Sequence, residues 1–216
     1  MARYSALALT PARVFSSPVE LPLRILGIDP GTNATGYGVV ARDGSRVRHV
    51  AHGVIRPARA QAMAARLAQI HAGVVELIAE FAPDCIVIEQ IFVAASGRSA
   101  IVLGQARGVA LAAIGAARLP VDEIAPQQIK LAVTGNGAAE KSQVQAMVRR
   151  LLALDALPAR DAADALAAAI CRAHRSGAIA RASAGEVSVS EARRLWEASA
   201  SRRRARPAQF VLRGAR

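Results

Sequence analysis

The 216-residue sequence contains few cysteines, few aromatic residues and almost no lysine. Neither cysteine, Cys85 or Cys171, belongs to a CxxC motif or a Cys/His cluster, so the sequence indicates no zinc site and no disulfide framework. Uninterrupted runs of about 18 strongly apolar residues are also absent, which argues against a membrane-spanning protein. These features fit a reducing cytoplasm best.

Lysine is scarce although the chain is strongly basic. Lysine and arginine total 28 against 16 acidic residues, a net charge of +12, and Lys130 and Lys141 are the only lysines. A charge excess of this size favours polyanionic partners such as nucleic acid. Because arginine is used everywhere else, the two lysines that remain are candidates for a specific role.

Composition divides the chain into three parts. Residues 1–22 have an apolar stretch too short for a secretory signal and are interpreted as a disordered extension. Residues 23–174 have the apolar periodicity of a folded domain. Residues 175–216 are rich in Arg, Ser, Ala and Gly and are expected to be largely disordered. This tail is either a solvated segment or a source of salt-sensitive, sequence-independent affinity for DNA.

Hydrophobic patterning within the domain predicts strands first and an alternation of helices and strands afterwards. Strands are expected over 23–29, 35–42, 46–55, 85–88 and 121–124, and helices over 60–81, 100–117, 140–154 and 159–174. The predicted fold class is α/β, with a mixed sheet of three antiparallel strands and then parallel strands, flanked by helices.

Four acidic residues stand out by their positions. Asp29 ends the first strand, where α/β folds bind ligands, although Asp-Pro-Gly-Thr is equally a simple turn. Glu89 follows the apolar run CIVI, where a buried carboxylate needs a partner or a metal; the alternative is a strand-end Glu that reaches solvent. Asp161 and Asp164 lie on one face of a helix, and taken alone they are most simply acids in a favourable first turn.

If these four carboxylates converge, they predict a metal site. Two carboxylates about 6 Å apart repel by roughly 2 to 3 kcal/mol at an effective dielectric of about 20, so a cluster of four needs divalent cations. An all-oxygen ligand set suits Mg²⁺ or Mn²⁺. Two such ions about 4 Å apart would activate a water molecule and stabilise the leaving oxygen of a phosphodiester.

Lys141 follows the glycine-containing segment 134–137 and enters the first turn of a predicted helix. A cation is unfavourable there unless it shares an anion with the helix N-terminus, and phosphate is the natural anion. A solvated surface lysine is the alternative. The segment is not a Walker loop, because Lys141 is not preceded by glycine.

Five segments, in this order and at these separations, resemble the RuvC family of Holliday-junction resolvases: LGIDPGTNATGYGVV, IEQIF, LGQARGVAL, AEKSQVQ and DAADALAAAI. The similarity covers about residues 23–174. It implies a ribonuclease H-like fold and a bacterial, cytoplasmic, metal-dependent endonuclease that nicks four-way DNA junctions symmetrically during recombination and repair. It also implies a homodimer that works with the branch-migration proteins RuvA and RuvB.

The resemblance also implies roles for individual residues. The metal-binding, catalytic acids of the family match Asp29, Glu89, Asp161 and Asp164. Lys130 and Lys141 match positions that approach the DNA and the scissile phosphate, Lys141 as a catalytic group. Phe92 matches an aromatic residue that stacks at the opened branch point, whereas composition alone would place it in the core. The segment 93–99 departs from the family pattern and carries one cation, Arg98, which is expected to contact DNA.

Two other functions stay open from the sequence. Gly-Ile-Asp-Pro-Gly-Thr resembles a phosphate-binding hairpin of actin-like ATPases and kinases, although those proteins usually duplicate the domain and this chain is short for that. A non-catalytic, basic DNA-binding protein on the same scaffold is the other alternative. It would bind DNA tightly and would not respond to the loss of a single acid.

Overall fold

A computed structural model describes residues 21–90 and 97–179, with the side chains of Arg98 and residues 176–179 excepted. The strands are β1 (Leu23–Asp29), β2 (Thr35–Asp43), β3 (Arg46–Ile55), β4 (Cys85–Glu89) and β5 (Val121–Ile124). The helices are α1 (Met63–Phe81), α2 (Gly97–Ala117), α3 (Pro126–Thr134), α4 (Lys141–Leu151) and α5 (Arg160–Ile179). The expectations for Phe92, for nearly all of the N-terminal extension and for most of the Arg-rich tail lie outside these residues.

The five strands form one mixed sheet in the order β3-β2-β1-β4-β5. Strands β1, β2 and β3 pair antiparallel, whereas β4 and β5 continue the sheet in parallel with β1. The predicted α/β class and its mixed sheet are therefore confirmed. Because β1 and β4 are parallel neighbours, their carboxyl ends meet at one edge of the sheet.

Each face of the sheet has its own hydrophobic core. Strand residues Leu26, Ile28, Ile86 and Ile88 pack with α1 and α2. Residues Ile25, Cys85 and Val87 face the other way and pack with α3, α4 and α5. Successive side chains of a strand alternate between faces, so Asp29 and Glu89, which follow Ile28 and Ile88, point to the α5 face.

Three glycines allow α5 to lie directly on β1 and β2. A Cβ atom at Gly27 would stand 2.0 Å from the carbonyl oxygen of Ala165, and one at Gly36 would stand 1.9 Å from that of Asp161. At Gly38 it would stand 2.6 Å from the side chain of Leu166. Only a residue without a Cβ permits this close approach, so these glycines set the position of the helix that carries Asp161.

The structure adds one helix, α3, that hydrophobic patterning did not predict. It is nine residues long and buries only Ile129 and Val133, which is too short a pattern to show helical periodicity. Pro126 occupies its first turn, and Gly135 ends it at a φ of 74°. Both residues are common at helix boundaries, so the sequence signal for α3 was this pair of boundary residues rather than hydrophobic periodicity.

Helix boundaries differ from the predicted ones by more than one residue at four places. Helix α1 begins at Met63 rather than at 60, and α4 ends at Leu151 rather than at 154. Helix α2 begins at Gly97, so residues 97–99 of the predicted loop 93–99 are helical. Helix α5 continues to Ile179, which moves the first residues of the predicted tail into the domain's last helix. Helix ends depend on the surrounding contacts, which periodicity does not encode.

The segment Ser99–Ala117 of α2 is, among the described residues, the one helix long and apolar enough to cross a membrane, and 22% of it is buried. Alanine and glycine supply much of this composition. Arg107, in its middle, forms an ion pair with Glu123 of β5, and the helix packs against the sheet through Ala106, Ala110 and Ile114. We therefore interpret α2 as a helix that has one side in the core and keeps an exposed apolar side.

Candidate active site

Asp29 and Glu89 end adjacent parallel strands. Ile28 pairs in register with Ile88, so the two acids follow one another across the β1–β4 ladder. Neighbouring strands lie about 4.8 Å apart, and both side chains point to the α5 face. The two strand-end acids that the sequence singled out are therefore direct neighbours.

The beginning of α5 brings Asp161 and Asp164 to the same edge. Gly36 pairs with Asp29 across the β1–β2 ladder, and the backbone of Asp161 rests on that glycine. Asp164 follows on the same helix face one turn later. The structure thus gathers all four predicted carboxylates, from residues more than 130 positions apart in the sequence, at one sheet edge.

The electrostatics of Asp29 reflect this convergence. Burial, and then the charges of Asp164, Glu89 and Asp161, raise the pKa of Asp29 to about 7, against the opposing effect of Lys141. The pKa of Glu89 is also raised, by burial first and by Asp164 second, and the charges of Lys141 and Lys130 act against this. The site therefore has a deficit of positive charge, which a bound cation would relieve.

Lys141 is the first residue of α4 and pairs with a carboxylate. Its Nζ lies 3.1 Å from Oδ2 of Asp164, and this charge and hydrogen bond raise the pKa of the lysine. Glu140 caps the helix in a capping box with Gln143, which offsets the unfavourable position of a cation at a helix N-terminus. In the structure the lysine thus pairs with a carboxylate, and its contact with a phosphate stays a prediction. The lysine side chain is 72% exposed.

The other predicted DNA-contacting residues fall in different places. Lys130 lies on α3, and its charge lowers the pKa of Glu89. Lys130 is thus close to Glu89, the acid that β4 contributes to the four carboxylates. Arg98 is the second residue of α2, but its side chain is outside the described part of the structure, as is Phe92.

The turn after Asp29 is held in place by side chains on both sides. The hydroxyl of Thr35 accepts from the N–H of Gly31 at 3.2 Å and donates to its carbonyl oxygen at 2.9 Å. From α1, Arg66 donates to the carbonyl oxygen of Thr32 at 2.6 Å and to Oδ1 of Asn33 at 2.7 Å. The Asp-Pro-Gly-Thr segment is therefore a turn, and its backbone is held by hydrogen bonds directly after Asp29.

Patterning overlooked Arg107, which reaches the same strand end from the opposite face of the sheet. Its Nη1 donates to the carbonyl oxygen of Glu89 at 2.9 Å, and its Nη2 pairs with Oε2 of Glu123 at 2.6 Å. The sequence did carry a signal: an arginine inside the apolar helix LGQARGVAL needs a buried polar partner.

The donor set fits a hard divalent cation in its chemistry. All four converging groups are carboxylates, and burial, followed by the charges of the neighbouring acids, raises the pKa of Asp29, so its ionised form is unfavourable without a cation. As placed, no three acidic, histidine or cysteine side chains within 21–90 and 97–179 form a group that could hold an ion. These side chains would therefore have to move closer together to ligate one.

Comparison with known proteins identifies the family of the chain. The sequence profile of the family "Crossover junction endodeoxyribonuclease RuvC" matches residues 25–172. The chain is 50% identical over 169 residues to RuvC of Sodalis glossinidius, covering 78% of this chain and 97% of the relative. It is 52% identical over 156 residues to RuvC of Hyphomonas neptunium, covering 72% and 93%.

A solved structure agrees in fold as well as in sequence. Thermus thermophilus RuvC, solved in complex with Holliday junction substrate, superposes with a TM-score of 0.68 at 34% identity, covering 72% of this chain and 96% of that one. This confirms the ribonuclease H-like fold and supports an endonuclease over the ATPase and the non-catalytic alternatives. The matches in sequence and fold, together with the four carboxylates at one edge of the sheet, show that the chain belongs to the RuvC family of crossover junction endodeoxyribonucleases.

Proposed function

We propose that this protein resolves four-way DNA junctions by paired, symmetric, metal-dependent nicks during recombination and repair. The observation that carries the proposal is the convergence of Asp29, Glu89, Asp161 and Asp164 at one edge of the sheet, beside a lysine that can reach a phosphate. The junction-bound Thermus relative supports the same substrate for this chain.

The four carboxylates would hold the cation, and we propose Mg²⁺, with Mn²⁺ as a substitute and two ions in each site. Bound there, such ions lower the pKa of a water nucleophile and neutralise charge on the phosphate. The protein's own part is to hold the carboxylates close together. Asp29 has to lose its proton first, because metal ligands bind in the deprotonated form.

Lys141 is proposed to stabilise the negative charge that develops on the scissile phosphate. Its position at the start of α4 directs it toward the carboxylates, and its exposure lets it exchange Asp164 for a phosphate oxygen. Lys130, Phe92 and Arg98 are proposed to contact the DNA, Phe92 by stacking on a base at the branch point.

Replacing Lys141 with Met is expected to lower the single-turnover nicking rate by roughly 100- to 1000-fold, as loss of a group that stabilises transition-state charge does. Junction affinity should change by less than about 5-fold, because one phosphate contact among many contributes little to binding. The matched control is Arg150→Met, which removes an exposed cation from the other end of α4. Equal losses of rate in the two variants would contradict a catalytic role for Lys141.

We also propose that the protein is a homodimer, because symmetric nicks on opposing strands need two active sites related by a two-fold axis. Helix α2 offers a surface for this contact. Ile101 is 67% exposed, and Gly104, Gly108 and Ala112 continue the same exposed helix stripe. Small residues at such spacing allow two helices to approach closely.

Gly108→Glu should convert the dimer to a monomer and replace paired nicks by slow single nicks. A Cβ at Gly108 meets nothing within 4 Å in one protomer, so the new side chain fits the monomer and clashes only in an α2-mediated dimer. Light scattering after gel filtration gives the mass. Ala79→Glu, which adds the same charge to an exposed position of α1, is expected to stay dimeric. A dimeric Gly108→Glu protein would show that another surface is used.

The cellular setting follows from family membership and the thiols. Among the described residues Cys85 and Cys171 are free and buried, as expected in a reducing compartment. We propose that the protein acts in the bacterial cytoplasm together with RuvA and RuvB, which would supply the branch-migrated junction.

The deciding experiment incubates the protein with a synthetic four-way junction or with a linear duplex of the same sequence, in Mg²⁺ or in EDTA. Symmetric nicks are expected in the junction only, and only with Mg²⁺. Binding without nicks in any divalent metal would overturn the proposal in favour of a DNA-binding protein. ATP hydrolysis without nicks would favour the actin-like alternative.

A further inference from the structure

We infer that Arg107 is a positioning residue for Glu89: from the opposite face of the sheet it fixes the backbone of the strand end that presents this carboxylate. The inference rests on the proposed nuclease function. Arg107 does not touch the carboxylate, and its action goes through the peptide bond that follows Glu89.

The peptide between Glu89 and Gln90 is held from both of its polar ends. Its carbonyl oxygen accepts from Nη1 of Arg107 at 2.9 Å, and its N–H donates to the carbonyl oxygen of Ile124 at 2.8 Å. Glu89 is the last residue of β4, and its pairing with Ile124 is the last of the β4–β5 ladder, so no later pair of residues supports this peptide. The two hydrogen bonds therefore hold this peptide in place, and with it the end of the strand from which the side chain of Glu89 projects.

Arg107 also joins this peptide to the neighbouring strand. Its Nη2 pairs with Oε2 of Glu123, the residue immediately before Ile124 in β5. One planar guanidinium thus spans the ends of β4 and β5, which a single ammonium group cannot do with the same geometry. The arginine side chain is only 11% exposed, so water does not replace these contacts easily.

The face on which Arg107 acts separates positioning from direct electrostatics. Ile124 belongs to the core on the α5 face, so the alternation of the strand places Glu123 on the α2 face. The carboxylate of Glu89 points to the α5 face, whereas Arg107 contacts the backbone of Glu89 from the α2 face. Arg107 therefore acts on the position of the strand end and does not contact the carboxylate.

A second arginine provides a matched control on the same strand. Arg172 of α5 pairs with Asp122 of β5 from the other face of the sheet. Asp122 stands opposite Val87, two residues before Glu89, so this ion pair joins a helix to β5 without holding the peptide after Glu89. Loss of either arginine removes one ion pair on β5, but only loss of Arg107 releases the strand end.

The experiment compares Arg107→Met, Arg107→Lys and Arg172→Met with the unaltered protein. Three quantities are measured: the melting temperature, Mn²⁺ binding to the DNA-free protein by electron paramagnetic resonance, and single-turnover nicking of a four-way junction with its affinity. Arg107→Met should weaken Mn²⁺ binding and slow nicking by roughly 10- to 100-fold, the usual effect of removing a group that orients a metal ligand. Junction affinity should stay within about 3-fold.

The controls make each outcome decisive. Arg107→Lys should recover part of both losses, because an ammonium can still donate to the carbonyl oxygen of Glu89. Arg172→Met should lower the melting temperature about as much as Arg107→Met, yet keep Mn²⁺ affinity and nicking within about 3-fold. Equal losses in the two Met variants, or normal Mn²⁺ binding by Arg107→Met, would overturn the inference. If the unaltered protein binds Mn²⁺ but nicks no junction, the proposed function fails, and the Mn²⁺ affinities alone decide the role of Arg107.

Discussion

Asp29→Asn is expected to abolish junction nicking and, in chelator at pH 8, to raise the melting temperature of the protein by several degrees. The first effect follows because Asn removes an ionised ligand from the centre of the carboxylate group. The second follows because burial and three neighbouring acids raise the pKa of Asp29 to about 7, which means that the folded state disfavours its charge.

The sign of the pH dependence is set by that raised pKa. The stabilisation that the protonated carboxyl gives the fold is fully present below the unfolded value of 3.8 and is lost as pH rises through about 7. The loss amounts to up to about 4 kcal/mol. The gap in melting temperature between Asp29→Asn and the unaltered protein should therefore widen from pH 4 to pH 7 and remain constant above.

Thermal melts at several pH values, in EDTA and in Mg²⁺, test this expectation. Mg²⁺ should narrow the gap by stabilising only the protein that retains the carboxylate. Asp155→Asn, at an exposed position outside the site, should leave the melting temperature unchanged throughout. A lower melting temperature for Asp29→Asn at pH 8 would contradict the idea that the clustered acids destabilise the metal-free fold.

Gly36→Ala should destabilise the protein and eliminate nicking even in molecules that remain folded. The added Cβ would stand 1.9 Å from the carbonyl oxygen of Asp161, which belongs to a helix backbone and cannot rotate away. Helix α5 must therefore move off the sheet and take Asp161 and Asp164 with it. Overpacking of this kind costs about 1 to 3 kcal/mol, and a displacement of about 1 Å in a catalytic group lowers rates by roughly 100-fold.

Urea unfolding gives the stability change, and nicking of a four-way junction by the folded fraction gives the effect on the site. Gly115→Ala is the matched control, because a Cβ there meets nothing within 4 Å and alanine favours the helix by about 0.5 to 1 kcal/mol. That variant should be at least as stable as the unaltered protein and should nick normally. Normal nicking by Gly36→Ala would mean that α5 does not need its close contact with Gly36 to position Asp161 and Asp164.

Local sequence patterns were sufficient to predict the two strands that present Asp29 and Glu89. The run Leu23–Asp29 has the length and apolar character of a strand that ends in a turn, and the structure has the same bounds. Strand β4 was expected to deliver Glu89 at its end, and it does. These positions are predictable because a strand's length, its breaker residues and its exit direction all depend on neighbours in the sequence.

Elements with weak local signals were missed. Helix α3 buries two side chains, so its periodicity is too brief to detect, and Lys130 could not be placed beside the carboxylates from patterning alone. Lys141 was expected at the start of a helix, which is confirmed, but its partner in the structure is Asp164, 23 residues away. The roles proposed for Phe92, Arg98 and the Arg-rich tail stay predictions.

Sequence alone was enough to establish the basic charge and the scarcity of lysine, and to predict the strand ends that present Asp29 and Glu89 and the helix face shared by Asp161 and Asp164. Each of these is a matter of composition or of residues close together along the chain. Three properties required the folded molecule: the four acids meet, the pKa of Asp29 rises to about 7, and Arg107 holds the strand end of Glu89 from the α2 face. These properties depend on burial and on distances between remote segments, which exist only once the glycines of β1 and β2 let α5 lie against the sheet.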